Sequence, residues 1–219
     1  MCGRYTLGRN GKVVGKRLNR SVSGELHLPA YNASPGQHLP VILDRDPQSI
    51  VPAFWGMRPK TGRLAGRMMI NARAETVHER PMFRDSLRHR RCLVIADGFY
   101  EWQQTDAGKQ PFRITLAGGD IFTFAGIWME VGGEPAYVIL TTAPNRVTQP
   151  IHDRMPVILE DREQNPWLDH GLRVEDVLEL LDPYPEEEMT AFPVDRAVNN
   201  SRNDGPELIE AVDLDGRMT

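Results

Sequence analysis

Among 219 residues the sequence has only two cysteines, Cys2 and Cys92. They are too few and too far apart for a disulfide framework, so a reducing, cytoplasmic setting is expected (nucleoid-associated if the source is bacterial). No apolar run approaches the ~20 residues of a membrane helix, and no membrane partner is expected. The stretch "GRNGKVVGKRLNR" near the start has no apolar segment of a signal peptide. CxxC, HExxH and P-loop patterns are all missing, which leaves zinc, metalloprotease and nucleotide-phosphate readings without support. We therefore expect no metal and no cofactor. Repeats and low-complexity tracts are also missing. The length suits one domain, residues 1–219, with a sizeable core.

Charge is scarce in sum but unevenly placed. The net charge is −4. Residues 1–116 hold 19 basic and 9 acidic side chains, a balance of +10, and the remainder carries −14. A basic front half suggests an anionic partner such as nucleic acid, unless folding interleaves the halves.

What is present are short apolar runs. Leu39–Leu43, Cys92–Ala96, Phe112–Leu116, Phe122–Trp128, Tyr137–Thr142 and Met155–Leu159 have strand length and strand residues. "DAGK" at 106–109 and "VGGEP" at 131–135 read as hairpin turns. Helices are fewer. Thr76–Leu87 holds one that Pro81 interrupts or starts; Asp161–Asp169 and Val174–Leu181 are better formed. The expected fold is α+β: a mostly antiparallel sheet, curled or barrel-like, with a few peripheral helices. Lys60–Arg67 and the tail beyond Asp213 read as the least ordered segments.

The chain opens "MCGRY". If Met1 is removed, Cys2 carries a free α-amine beside its thiol. That amine titrates at about 7.7–8.0, against about 10.4 for lysine, so roughly a tenth of it is neutral at pH 7. Amines add to aldehydes to form Schiff bases. A thiol two carbons away can then close a thiazolidine ring, with an effective molarity of about 10⁵ M or more. A 1,2-aminothiol is thus an aldehyde trap. The other reading is a small second residue that merely permits removal of Met1.

Three further stretches can carry chemistry. In "INARAET" at 70–76, Asn71, Arg73 and Glu75 alternate; on a strand they would share one face and could seat a sugar phosphate, or simply face water. In "ADGFYEW" at 96–102, Glu101 lies between aromatics, where a carboxyl can titrate high and shuttle protons, or is an ordinary surface glutamate. In "IHDRMPVIL" at 151–159, His152 is either an acid–base group or a structural histidine. The polar loop "VNNSRNDGPELI" at 198–209 braces backbone or binds phosphate. Cys92, inside an apolar strand, reads as core.

Taken with "YNASPGQ" at 31–37, "PAFWGMRP" at 52–59 and "TTAPN" at 141–145, these segments resemble the SRAP family (SOS-response-associated peptidase domain) nearly end to end. The resemblance implies a single domain with a positively charged channel and a monomer that binds single-stranded DNA containing abasic sites. It implies removal of Met1 and attack by Cys2 on the C1′ aldehyde of the opened sugar, giving a thiazolidine that shields the lesion. Asn71 would orient the sugar and the N-terminus, Glu101 would shuttle protons, and His152 would assist ring opening and the Schiff-base steps. Arg4, Arg73 and Arg154 would hold phosphates, with Asn32 and Pro35 in a loop near the N-terminus. After "FWGMRP" the family often continues with tryptophan, whereas this chain runs "KTGRLAGRMM". There Arg58, Arg63 and Arg67 would substitute charge for stacking. Competing readings are an N-terminal-nucleophile amidohydrolase, a peptidase acting on Met1, and a non-covalent nucleic-acid binder.

Overall fold

The computed structural model describes residues 2–58, 66–106 and 108–213. The expectations about Met1, about residues 60–65 with Arg63 among them, and about the tail beyond Asp213 lie outside the described residues. So does part of the turn at 106–109.

Among the described residues the fold has fourteen strands and four α-helices. The strands are β1 (Tyr5–Leu7), β2 (Ser21–Val22), β3 (Ala30–Ala33), β4 (His38–Leu43), β5 (Asp46–Trp55), β6 (Asn71–Arg73) and β7 (Arg91–Ala96). They continue with β8 (Gly98–Thr105), β9 (Gly108–Leu116), β10 (Phe122–Val131), β11 (Glu134–Thr142), β12 (Met155–Pro156), β13 (Ile158–Leu159) and β14 (Met189–Pro193). The helices are α1 (Gly11–Leu18), α2 (Pro81–His89), α3 (Asp161–Leu168) and α4 (Val174–Leu178).

The α+β expectation holds. Strands β11, β10, β7, β4 and β5 pair in sequence, and β5 returns to β11 through Phe54↔Ala136 and Trp55↔Tyr137. That last pairing is parallel and closes the ring, so the barrel has no free edge there. A second, antiparallel sheet runs β14-β9-β8-β1-β3.

Four of the five barrel strands, β4, β7, β10 and β11, are buried on both faces over most of their length, which is why they read as unbroken apolar runs, whereas β5 is partly exposed. In β7, Cys92, Val94 and Ala96 join one apolar cluster with Tyr5, Phe99 and Ile114 of the second sheet. Leu93 and Ile95 join the other, with Phe83, Leu87 and Trp167 from the helices. Gly126 lies opposite Cys92 across the ladder, where an added Cβ would come within 2.7 Å of the Cys92 sulfur. Cys92 is core, as expected.

Arg91 ties two helices to this barrel. Its buried guanidinium donates to Leu87 O at 2.8 Å, to Asp169 O at 2.5 Å and to Trp167 O. One side chain thereby satisfies orphan carbonyls at the ends of α2 and α3.

Some local expectations need correction. Met155–Leu159 is two strands: β12 pairs with β11 and β13 with β10, because Val157 donates to Leu140 O and accepts from Ala125 N between them. The helix expected over Val174–Leu181 ends as α-helix at Leu178 and continues as a 3-10 turn, Glu179–Leu181. Of the two readings of Pro81, the structure bears out the one in which it starts α2, since the first helical position needs no N–H donor. No helix among the described residues is long and apolar enough to cross a membrane.

Candidate active site

Pairing between β1 and β8 builds the site. Tyr5 faces Phe99, Thr6 faces Gly98, and the Tyr100 amide donates to Arg4 O at 3.0 Å. This lays the start of the chain along the strand that carries Glu101. Cys2 is fully buried, and its thiol points to Arg4 O at 3.8 Å. Asn71, the first residue of β6, is positioned by parallel pairing with β11. Its Nδ2 donates to Cys2 O at 2.8 Å, while its buried Oδ1 has no hydrogen-bond partner among the described residues.

His152 arrives on the loop after β11. Asn145 holds that loop by accepting from Thr148 N at 3.1 Å and donating to Tyr184 O at 2.9 Å. Thr148 O then takes the amide of His152 at 2.9 Å. The imidazole Nε2 stands 3.9 Å from Glu101 Oε2. An open cavity of about 400 Å³ is lined by Arg4, Glu101, Trp102, Lys109, His152 and Asn199.

Environment sets the protonation states. Burial, with the nearby Asp153 charge adding to it, pushes the Glu101 carboxyl up to about 7. Burial, and then the Glu101 charge, pushes the Cys2 thiol well above its ordinary range, so it stays protonated at neutral pH. Burial lowers His152 below its ordinary value, so the ring is neutral there. The Arg154 amide donates to Nδ1 at 3.0 Å, which makes Nδ1 an acceptor and puts the proton on Nε2. Asp153 Oδ1, also 3.0 Å from Nδ1, would favour the opposite assignment; its side chain is 88% exposed, and the amide decides.

The six expected DNA-contact residues are placed unequally. Arg4 borders the cavity, lying 5.8 Å over the Trp102 ring and donating to Asn32 Oδ1 at 2.7 Å and Val198 O at 2.9 Å. Arg73 is exposed at the end of β6, and Arg58 is exposed with one long contact to Gly66 O, 3.5 Å. Arg154 grips Glu75 through two bonds, 2.5 and 2.9 Å, and donates to Thr141 O. That bidentate grip holds the Glu75 carboxyl below the usual carboxylate range. Asn32 is buried, and its amide donates to the carbonyls of Val198, Asn200 and Asn203. Pro35 sits in the turn before Gly36, whose φ is +92°.

The shared strand face expected for Asn71, Arg73 and Glu75 does not exist. The strand ends at Arg73, and Glu75 lies on a 3-10 turn that delivers it to Arg154. Sequence reasoning also passed over Lys109, Trp102 and Asn199 as lining residues. The Trp102 indole donates to Asn199 Oδ1 at 2.6 Å, and Lys109 enters through the β8–β9 ladder opposite Gln104. The ladder register places Trp102 and Lys109, and the 3-10 turn Arg196–Asn199 brings Asn199 to them. The acidic–histidine sets needed for a metal are not found among the described residues.

Comparison with known proteins adds to this geometry. Residues 1–201 match the family described as SOS response associated peptidase (SRAP). The chain is 41% identical over 224 residues to the abasic site processing protein YoqW of Bacillus subtilis, covering 96% of this chain and all of that one. It is 33% identical over 247 residues to the mouse abasic site processing protein HMCES, covering 91% of this chain and 69% of the other. Among solved structures, a Bacteroides thetaiotaomicron protein superposes with a TM-score of 0.84 at 27% identity, covering 96% of this chain and 100% of that one. A match over residues 1–201 together with 41% identity along a whole relative establishes that this chain belongs to the SRAP family.

Proposed function

We propose that this protein captures abasic sites in single-stranded DNA, joining the lesion covalently to Cys2 once Met1 has been removed. One observation carries the reading: Asn71 pins the carbonyl of Cys2 while Glu101 and His152 face each other beside it. The relatives' names, abasic site processing proteins, supply the substrate class.

The chemistry follows from the protonation states. An abasic sugar is mostly a closed hemiacetal. Opening it needs a base at the C1′ hydroxyl and an acid at the ring oxygen. Glu101, titrating at about 7, and the Nε2–H of His152 can serve as this pair near neutrality. The buried thiol is protonated, so the α-amine is the first nucleophile. It adds to C1′, and the carbinolamine loses water to give an imine. The Cys2 sulfur then adds to the imine carbon. The thiol proton leaves to Glu101, and the ring nitrogen regains one. Aldehyde and aminothiol thus yield a thiazolidine and one water.

Asn71 Oδ1 is the polar atom left over for the sugar or the amine. Arg73 and Arg58 are exposed cations available to flanking phosphates. A nucleotide without a base enters such a site with little unstacking cost.

The test is intact mass spectrometry on protein whose first residue is verified as cysteine. Mixed with single-stranded DNA holding one abasic site, it should gain the oligonucleotide mass less one water. Unmodified protein and DNA would overturn the reading.

A further inference from the structure

The α2 helix and the residues before it carry more positive charge than the site uses. Arg80, Arg84 and Arg88 are all exposed and four residues apart, with Arg80 at the N-cap and the others within the helix. At 1.5 Å and 100° per residue, they form one ridge with charges about 6 Å apart. The acidic residues of the segment are otherwise engaged: Glu79 lies 3.7 Å from His78, and Asp85 is held by Arg90. Glu175 shares the groove of about 360 Å³ beside Arg84 and Arg88, without reaching ion-pair distance of either. None of the three arginines has an ion-pair partner among the described residues.

Arg80, at the N-terminal end of the ridge, is out of keeping with helix stability, whereas Arg88 lies in the last turn, where a cation is favoured. The first turn of α2 has no acidic residue, and no side chain caps it. Helix N-termini favour acids and disfavour cations. The chain reaches α2 directly from Arg73 and Glu75, beside the site.

We propose that the Arg80–Arg84–Arg88 ridge is a second contact surface for nucleic acid, gripping phosphates of the strand outside the lesion pocket. Its row of unpaired charges matches a polyanion with phosphates at regular intervals, and guanidinium suits phosphate. The ridge reads no bases; it adds affinity and length dependence. The proposal rests on the reading of DNA as the partner.

Equilibrium binding to lesion-free single-stranded DNA tests it, since no crosslink then forms. A long oligonucleotide and a short one spanning only the site are titrated over a range of salt. In the Arg84→Gln/Arg88→Gln double variant, the slope of log K against log salt on the long strand should fall by about 1.4, at about 0.7 for each phosphate no longer neutralised. Short-strand binding should not change. Arg84→Lys/Arg88→Lys should restore most of the slope, because it restores charge. Arg45→Gln, removing an arginine paired with Glu130, should leave the slope alone. An unchanged slope in the glutamine variant overturns the ridge while leaving the proposed activity standing. Failure of the parent protein to bind either strand overturns both. Stronger competition by poly-glutamate than by DNA would reassign the ridge to an acidic protein and overturn the proposal.

Discussion

Glu101 Oε2 and His152 Nε2 stand 3.9 Å apart, one on a strand of the second sheet and the other on the loop that leaves the barrel. The glutamate is 2% exposed. The histidine presents an N–H to it because the Arg154 amide occupies the other ring nitrogen. This places a carboxyl that titrates at about 7 next to a neutral donor, at the mouth of a cavity beside Cys2.

Replacing Glu101 by Gln should therefore slow adduct formation by roughly 10²-fold or more, within the range of a lost acid–base group. DNA affinity should change little. Single-turnover rates and equilibrium binding, measured side by side, separate the two; equal losses in both would remove the proton-transfer role.

The same substitution should stabilise the fold, with a sign set by pH. The Glu101 carboxyl titrates at about 7 when folded, against 4.5 ordinarily, so between these values the folded state binds more protons. Stability is thus lost as pH rises through that window. The full penalty, on the order of 3 kcal/mol, is present above pH 7. Denaturant unfolding at pH 8 should show Glu101→Gln more stable than the parent, with the gap closing by pH 4. A variant equally destabilised at both would mean the carboxylate is held by bonds rather than merely buried.

Cys2→Ala should abolish the covalent product and spare most DNA affinity. Cys92→Ala should leave crosslinking intact and lower stability by about 1–2 kcal/mol, as for a buried sulfur lying over Gly126 in the core. Gel-shift under denaturing conditions reads the first effect and thermal unfolding the second. Crosslinking lost only in the Cys92 variant would move the chemistry elsewhere.

Glu75 occupies Arg154 with the geometry a phosphate would use. Glu75→Gln should release that cation, tighten DNA binding at low salt, and steepen the salt slope by about 0.7. Weaker binding in this variant would show instead that Glu75 holds Arg154 in place for DNA.

Gly98 sits where a Cβ would come within 2.8 Å of Arg113 Nε and 2.9 Å of Thr6 Oγ1. Those atoms belong to a buried network in which Arg113 pairs with Asp97 at 3.2 Å, and Asp97 accepts from Thr6 and Gly8. Gly98→Ala should cost about 3–5 kcal/mol by breaking that pair. Chemical denaturation checks it; a loss under about 1 kcal/mol, the scale of an exposed ion pair, would mean the arginine relocates freely.

Much of the fold was legible in the sequence. The strands at 92–96, 122–128 and 137–142 were visible because both faces are buried, and the turn at 132–133 because both glycines adopt positive φ, 65° and 87°. Helix α1 escaped notice, since "GKVVGKRL" has two glycines and two β-branched residues and little helix propensity. Asn10 at its N-cap and Asn19 at its C-cap supply what propensity lacks.

By itself the sequence determined the groups that local covalent structure carries: a cysteine at position 2 that becomes an aminothiol once Met1 is removed, a carboxyl among aromatics, apolar runs of strand length. Only the tertiary structure decided how these groups meet. Ring closure through Trp55 and Tyr137, the hold of Asn71 on Cys2, the loop clamp of Asn32 and the capture of Arg154 by Glu75 join positions 69 or more residues apart, so no local pattern records them. Periodicity and propensity reach only a few residues along the chain, whereas ladder register and the burial of a charge belong to the assembled core.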